Sequence, residues 1–295
     1  MADPNIREII KRNDLTAFKE ALKKGFNTKT LEDTMKDTYL HYAAIFDKKG
    51  AITQLLLDSG TDPNAQNING ATPLIYAVIN GVPIVIETIA VHKATNTNIA
   101  DTNGNTALSY AGSMADLAKV SAILKNKKTQ LEIMGNDNKT VLFRAVEDKA
   151  FDIAQKLLKK GAKIDVKNPE TGNTLVHTTA ITGDSKMLDL LLYWKADPEI
   201  VNNIGDTALH LSSYYGDNKL NITKKLIKKK PALGLKKGNN GMTPLHVAVS
   251  IKNSKETVES LLYYQNKAKD VLDDLNRTPK DIAMEMKNSD IVSLL

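Results

Sequence analysis

The sequence predicts an all-α repeat solenoid running the length of the chain, built of helix–turn–helix units joined by long polar loops. Three observations predict it. A phrase centred on threonine recurs eight times at nearly constant spacing, two apolar-periodic segments accompany each phrase, and clusters of Asn, Asp and Gly punctuate the intervals. At 295 residues the chain is too long for one ordinary compact core, so repetition accounts for its length.

The phrase reads "DTYLHYAA" (37–44), "ATPLIYAV" (71–78), "NTALSYAG" (105–112) and "KTVLFRAV" (139–146), then "NTLVHTTA" (173–180), "DTALHLSS" (206–213), "MTPLHVAV" (242–249) and "RTPKDIAM" (277–284). Its threonines are Thr38, Thr72, Thr106, Thr140, Thr174, Thr207, Thr243 and Thr278, spaced by 34, 34, 34, 34, 33, 36 and 35 residues. Repeats therefore begin near 37, 71, 105, 139, 173, 206, 242 and 277, and the whole of 1–295 is expected to form one repeat domain. Residues 5–31, with apolar-periodic "NIREIIKR" and "LTAFKEALKKG" but no Thr-Pro phrase, form a degenerate N-terminal capping unit.

Each element follows from local chemistry. The threonine hydroxyl can satisfy a free N–H at a helix start, and Pro73, Pro244 and Pro279 occupy the first helical position, where no N–H partner is needed. The first helix of a unit is expected to close at residues such as Gly81, Gly183 and Gly216 through a positive φ. A second helix follows, as in "ITQLLLDSG", "FDIAQKLLKKG", "SKMLDLLLYW" and "TVESLLYYQ". Loops such as "TDPNAQNINGA" and "TNIADTNGN" carry hairpin-type turn residues.

A unit of helix, turn, helix and β-turn loop resembles the ankyrin repeat, whose T-P-L-H-x-A phrase stands nearly intact as Thr243, Pro244, Leu245, His246, Val247 and Ala248. The tetratricopeptide repeat, of similar length, lacks this Asn/Gly loop. The resemblance implies a non-enzymatic scaffold that binds a protein partner along a concave face made by loop tips and inner-helix ends. It also implies that the histidine of the phrase bonds the neighbouring loop backbone. Asn64 and Asn98 match a position that is hydroxylated in some ankyrin proteins.

Composition narrows the chemistry. Zero cysteines exclude disulfides, thiolate metal sites and cysteine nucleophiles. No run of apolar residues is long enough for a membrane helix. The start "MADPNIREII" has neither the basic nor the apolar region of a signal peptide. A cytoplasmic location is the default expectation, with an exported form if a leader was removed and a bacterial effector delivered to a host as one further reading. Phosphate-loop, dinucleotide, zinc-protease and EF-hand motifs are lacking, so no cofactor or metal is expected. Paired carboxylates in "LEDT", "LDDL" and "VED" read as solvated surface.

Of five histidines, His41, His177, His210 and His246 sit three residues after the repeat threonine, and His92 reads as a surface residue near the end of an outer helix. Asp206, His210 and Ser212 look like a hydrolytic triad in composition. His210 and Ser212 are two apart, however, and residues so spaced do not face each other on a helix. No enzyme activity is expected.

Function is sought where the repeat leaves residues unconstrained. In register, loop tips and inner-helix ends carry Met35, Ile45, Phe46, Ile68, Ile79, Met114, Ile181, Ile204, Tyr214, Tyr215, Met242 and Ile251. Ile68, Ile79 and Ile181 are expected to tuck under a neighbouring unit, and Trp194 to pack on an adjacent helix. Phe46, Tyr214 and Tyr215 are expected to anchor a protein partner, supported by Met35, Ile45, Met114, Met242 and Ile251.

Charge supplies an alternative site. The chain carries 36 Lys and 4 Arg with net charge +6, yet 218–255 holds ten lysines and no Asp or Glu, so the remainder sums to 6 − 10 = −4. Lys224, Lys225, Lys228, Lys229, Lys230, Lys236 and Lys237 are the core of this basic patch, with Lys219, Lys252 and Lys255. The alternative partner is an acidic protein, anionic lipid or nucleic acid. Scarce arginine argues against sequence-specific nucleic-acid reading. A monomer is expected.

Overall fold

The computed structural model describes residues 5–28 and 34–295. The first four residues, Leu31 at the end of the predicted capping unit, and Glu32 and Asp33 of "LEDT" lie outside the described residues. The fold is helical. Among the described residues strand-like pairing is confined to isolated bridge residues, including the antiparallel bridges Ala100 with Thr106 and Lys167 with Thr174. The chain divides into two compact units, Met1–Ala145 with Asp152–Ala162, and Val146–Phe151 with Lys163–Leu295.

In the first unit lie α1 (Ile6–Lys11), α2 (Leu15–Lys23), α3 (Tyr39–Phe46), α4 (Ala51–Asp58), α5 (Pro73–Asn80), α6 (Pro83–Val91), α7 (Ala107–Ser113) and α8 (Leu117–Ile123), followed by most of α9 (Val141–Glu147) and α10 (Phe151–Lys159). Inner helices stack on inner helices, α3 on α5 on α7, and outer on outer, α4 on α6 on α8. The capping unit joins this order: Ile6, Ile10, Phe18 and Ala21 share one core with Leu40, Ala43, Ile52 and Leu56. Lacking the threonine phrase, it caps its helices with Asn5, which accepts from the Glu8 amide at 3.2 Å, and Asp14, which accepts from that of Ala17 at 2.9 Å.

The second unit holds α11 (Leu175–Thr182), α12 (Ser185–Tyr193), α13 (Ala208–Tyr214), α14 (Leu220–Lys229), α15 (Pro244–Val249), α16 (Lys255–Tyr264), α17 (Pro279–Glu285) and α18 (Ser289–Val292). Here α11, α13, α15 and α17 pack in sequence, as do α12, α14, α16 and α18. Helices this short gain little from their own hydrogen bonds and depend on such packing. The longer spacings around Thr243 and Thr278 are taken up by 3-10 turns at Gly216–Lys219, Pro231–Leu235, Asn239–Gly241 and Asn266–Asp270.

The threonines and prolines behave as read: α5, α15 and α17 begin at Pro73, Pro244 and Pro279, behind Thr72, Thr243 and Thr278. The turn closing the inner helix departs from expectation at one glycine. Gly183 and Gly216 have φ of 74° and 56°, but Gly81 is extended, with φ −92° and ψ −174°. Space, not dihedral freedom, selects glycine there, because a Cβ would sit 2.6 Å from the carbonyl oxygens of both Ala44 and Ala77. Elsewhere Ala115, Asn253 and Lys287 accept a positive φ at the corresponding turn.

The Asn/Asp richness of the loops has a direct cause. Oδ1 of Asn67, Asp101, Asn202 and Asp273 each accepts from the amides two and four residues ahead, which folds the loop into its tip. Each tip then bonds the preceding one. The amides of Ile68, Thr102, Asn203 and Asp274 donate to the carbonyls of Met35, Asn69, Thr171 and Asn240 at 3.0–3.1 Å.

Candidate functional site

The histidines of the phrase connect repeats. Nδ1 of His177 accepts from the Thr174 amide at 3.1 Å, while its Nε2–H donates to the Asp206 carbonyl at 2.9 Å. His41 reaches Ala71 at 3.0 Å, and His246 reaches Arg277 at 3.1 Å. His210 reaches both Lys236 and Met242, each at 3.1 Å. Burial holds the imidazoles of His177, His210 and His246 below the usual histidine value, which favours the neutral ring this two-sided bonding requires.

The apparent triad is dispersed by these bonds. His210 spends both ring nitrogens on the threonine cap and on backbone carbonyls, and Asp206 accepts from the Asn239 amide at 2.9 Å. Ser212 donates to the Leu209 carbonyl and accepts from the Thr223 hydroxyl at 2.9 Å. Among the described residues no group of His, Asp and Glu is gathered as a metal would need. No described helix is long and apolar enough to cross a membrane. His92 departs from the expected surface position: the chain turns at the end of α6, and its ring is half-buried with Nδ1 shielded and unpartnered. Asn64 and Asn98 staple adjacent loops. Asn64 donates to the Ala94 carbonyl and accepts from the Asn96 amide, both at 2.7 Å, and Asn98 donates to the Lys128 carbonyl at 3.0 Å and accepts from the Gln130 amide at 2.7 Å.

The expected partner-binding residues fall into two groups. In the first unit Phe46 does not project. It is half-buried against the core of the capping unit, because α1 packs on α3 and covers the flank that the repeat register alone leaves open. Met35 and Ile45 are also half-buried, and Met114 is exposed. Ile68, Ile79 and Ile181 do not tuck away as expected. All three are exposed, Ile68 by 49%, because Ile68 sits in the turn of a loop tip and Ile79 and Ile181 in the last turns of α5 and α11.

In the second unit Tyr214 is 59% exposed at the end of α13, beside the exposed Ile181 at the end of α11, with Ile204 56% exposed at the loop tip. Ile45, Ile79, Ile181 and Tyr214 all stand seven residues after their repeat threonine, so the position is set by register. Tyr215 is half-buried, meets the Tyr214 ring edge-on at 5.6 Å, and carries the Lys219 ammonium 5.6 Å over its face. Met242 and Ile251 are half-buried. Leu275 and Met284, which sequence reasoning passed over, are exposed on the last repeat. Leu275 stands three residues before its threonine, as Ile204 does, so the same register could have found it.

The lysines lie on another face. Lys224, Lys225, Lys228 and Lys229 are on α14, whose other side buries Ile222, Thr223, Leu226 and Ile227. Lys225 pairs with Asp189 and Lys230 with Glu199, which removes two charges from the patch. Lys236 and Lys237 follow on the exposed loop, where the Lys236 carbonyl receives His210. Sequence reading missed Tyr193 and Tyr263, 80% and 82% exposed on the flanking helices α12 and α16. Trp194 is half-buried and meets Tyr193 edge-on at 6.1 Å.

Comparison with known proteins agrees with this architecture. A family model for ankyrin repeats in three copies matches residues 7–95, 40–134, 87–168, 142–233 and 216–295. An ankyrin repeat protein of fowlpox virus is 34% identical over 121 residues, which is 40% of this chain and 35% of that protein. One from Rickettsia felis is 34% identical over 131 residues, 44% of this chain and 42% of the relative. Human Rabankyrin-5 is 27% identical across 97% of this chain but only 26% of its own length, so this chain spans less than half of each of these relatives. Among solved structures, the ankyrin repeat domain of Bcl-3 superposes with a TM-score of 0.68 at 26% identity, covering 78% of this chain and 99% of that one. With its capped inner helices, its interrepeat histidines and family matches running from residue 7 to residue 295, the chain belongs to the ankyrin repeat family.

Proposed function

We propose that this chain is a non-enzymatic scaffold that grips a protein partner on the face formed by the inner-helix ends and loop tips of its second unit, the concave side in the ankyrin layout. Ankyrin repeat domains are in general protein-interaction scaffolds. The observation that carries the finer reading is Tyr214, more than half exposed, with Ile181 exposed at the equivalent end of the packed α11 and Ile204 exposed at the loop tip before α13. The buried side of α13 is supplied by Ala208, Leu209, His210, Ser212 and Ser213, so the fold does not call on the Tyr214 ring. An exposed aromatic flanked by aliphatic side chains is the usual anchor of a protein interface, since its ring buries area while its hydroxyl keeps a polar partner.

The test is the double variant Tyr214→Ser, Ile204→Ser. Its helical circular dichroism and melting should match the parent, while recovery of the partner from a native lysate, read by mass spectrometry, should fall sharply. Equal recovery by parent and variant would exclude this face.

A further inference from the structure

The outer helices of the second unit hold a surface that the concave-face reading does not use. Aligned by their buried residues (Met187, Ile222 and Thr257; Leu191, Leu226 and Leu261), α12, α14 and α16 repeat every 35 residues. That register places Tyr193, Lys228 and Tyr263 at one level across three neighbouring helices, since 228 − 193 and 263 − 228 are both 35. It places Asp189, Lys224 and Glu259 one turn earlier. A basic helix thus runs between two nearly fully exposed tyrosines. Neighbouring packed helices lie about 10 Å apart, so the three side chains of each row are within reach of one short ligand segment.

The relief suits such a segment. Between α12 and α14 is an open groove of about 480 Å³ lined by Leu192, Tyr193, Lys225, Lys228 and Lys229 with Asp189. Between α14 and α16 is a second of about 310 Å³, lined by Lys224, Glu259, Ser260, Tyr263 and Tyr264. Lys225 is held by Asp189, but Lys224, Lys228 and Lys229 form no ion pair among the described residues. They point their charges at solvent from a helix carrying no acid.

We infer that this face binds an acidic peptide segment of a protein partner, with carboxylates set over Lys224, Lys228 and Lys229 and an apolar residue laid against Tyr193 or Tyr263. Charge distribution selects this occupant over a membrane or a nucleic acid. Asp189 is neutralised by Lys225, but on the other flank the exposed Glu256 and Glu259 of α16 form no ion pair among the described residues, so a continuous anionic sheet or strand crossing α14 would meet repulsion there. A discrete segment places its negative charge over α14 alone and its apolar side chain on a ring.

The experiment uses the full chain and a fluorescein-labelled peptide of alternating Glu and Leu, read by fluorescence anisotropy. Binding should weaken as salt is raised, and the triple variant Lys224→Gln, Lys228→Gln, Lys229→Gln should bind roughly tenfold more weakly. A control variant, Lys93→Gln, Lys127→Gln, Lys128→Gln, removes the same charge from exposed positions of the first unit and should bind as the parent does. Tyr193→Ser should weaken the Glu–Leu peptide more than an all-Glu peptide. The inference is overturned if the first triple variant binds like the parent, if the control loses as much, or if phosphatidylserine vesicles or duplex DNA bind more tightly than the peptide. Tyr214→Ser should leave peptide binding unchanged, which separates this surface from the concave face.

Discussion

His177 and Asp206 lie in different repeats, yet the ring Nε2–H of the first donates to the backbone carbonyl of the second at 2.9 Å. The same ring accepts from the Thr174 amide and contacts its hydroxyl. One side chain therefore caps its own helix and fixes the next loop. His177→Ala strips a part-buried carbonyl and a buried amide of their partners and opens a cavity. A loss of about 2–4 kcal/mol in urea-unfolding free energy is expected. His92→Ala, outside this relay, should cost less.

Acid should weaken the array in two stages. For His177, His210 and His246 the folded value lies below the unfolded one, because burial penalises the charged ring. The unfolded chain therefore takes up protons first. Their stabilisation is complete above about pH 6.5 and declines as pH falls below that value. Asp281 is also lowered, through the hydrogen bond from the Thr278 hydroxyl, so its contribution is present above the ordinary carboxylate range and is lost as pH drops through its folded value. Melting temperature followed across this range should show both declines. An acid-insensitive melting temperature between pH 7 and 5 would contradict the buried neutral histidines.

Two glycines at equivalent turns should answer alanine differently. At Gly81 a Cβ would press on two backbone carbonyls that cannot move aside, so Gly81→Ala is expected to cost about 1–3 kcal/mol. At Gly183 the nearest atom is the end of the flexible Lys219 side chain, and the cost is the positive φ alone, about 1 kcal/mol. Thermal melts of the two variants give the order.

Asn202→Ala removes the acceptor that folds the loop tip, at 3.2 Å from the Ile204 amide and 3.0 Å from that of Asp206. A loss of about 1–2 kcal/mol is expected, with faster amide exchange at residues 203–206 than in the α13 core.

The threonine spacing made the repeats, the helix starts and the loop chemistry legible, because capping and turn formation depend on a few residues close in sequence. The role of His177 was legible from the resemblance of its phrase to the ankyrin repeat, and four of the eight repeats place a histidine at that position. What misled was context that no single repeat encodes. Phe46 is half-buried against the capping-unit core because α1 packs on α3, and Ile68 is exposed because it sits in the turn of a loop tip. Tyr193 and Tyr263 escaped notice because they lie 70 residues apart, and only the stacking of α12, α14 and α16 brings them to one face.

The most direct measurement of the central claim is site-specific photocrosslinking in a native lysate, with a benzophenone amino acid replacing Tyr214. A discrete protein adduct is expected at that position, and it should disappear when Ile181→Asp introduces a charge into the same row. No adduct at Tyr214, or one that persists undiminished with Ile181→Asp, would contradict binding at this face.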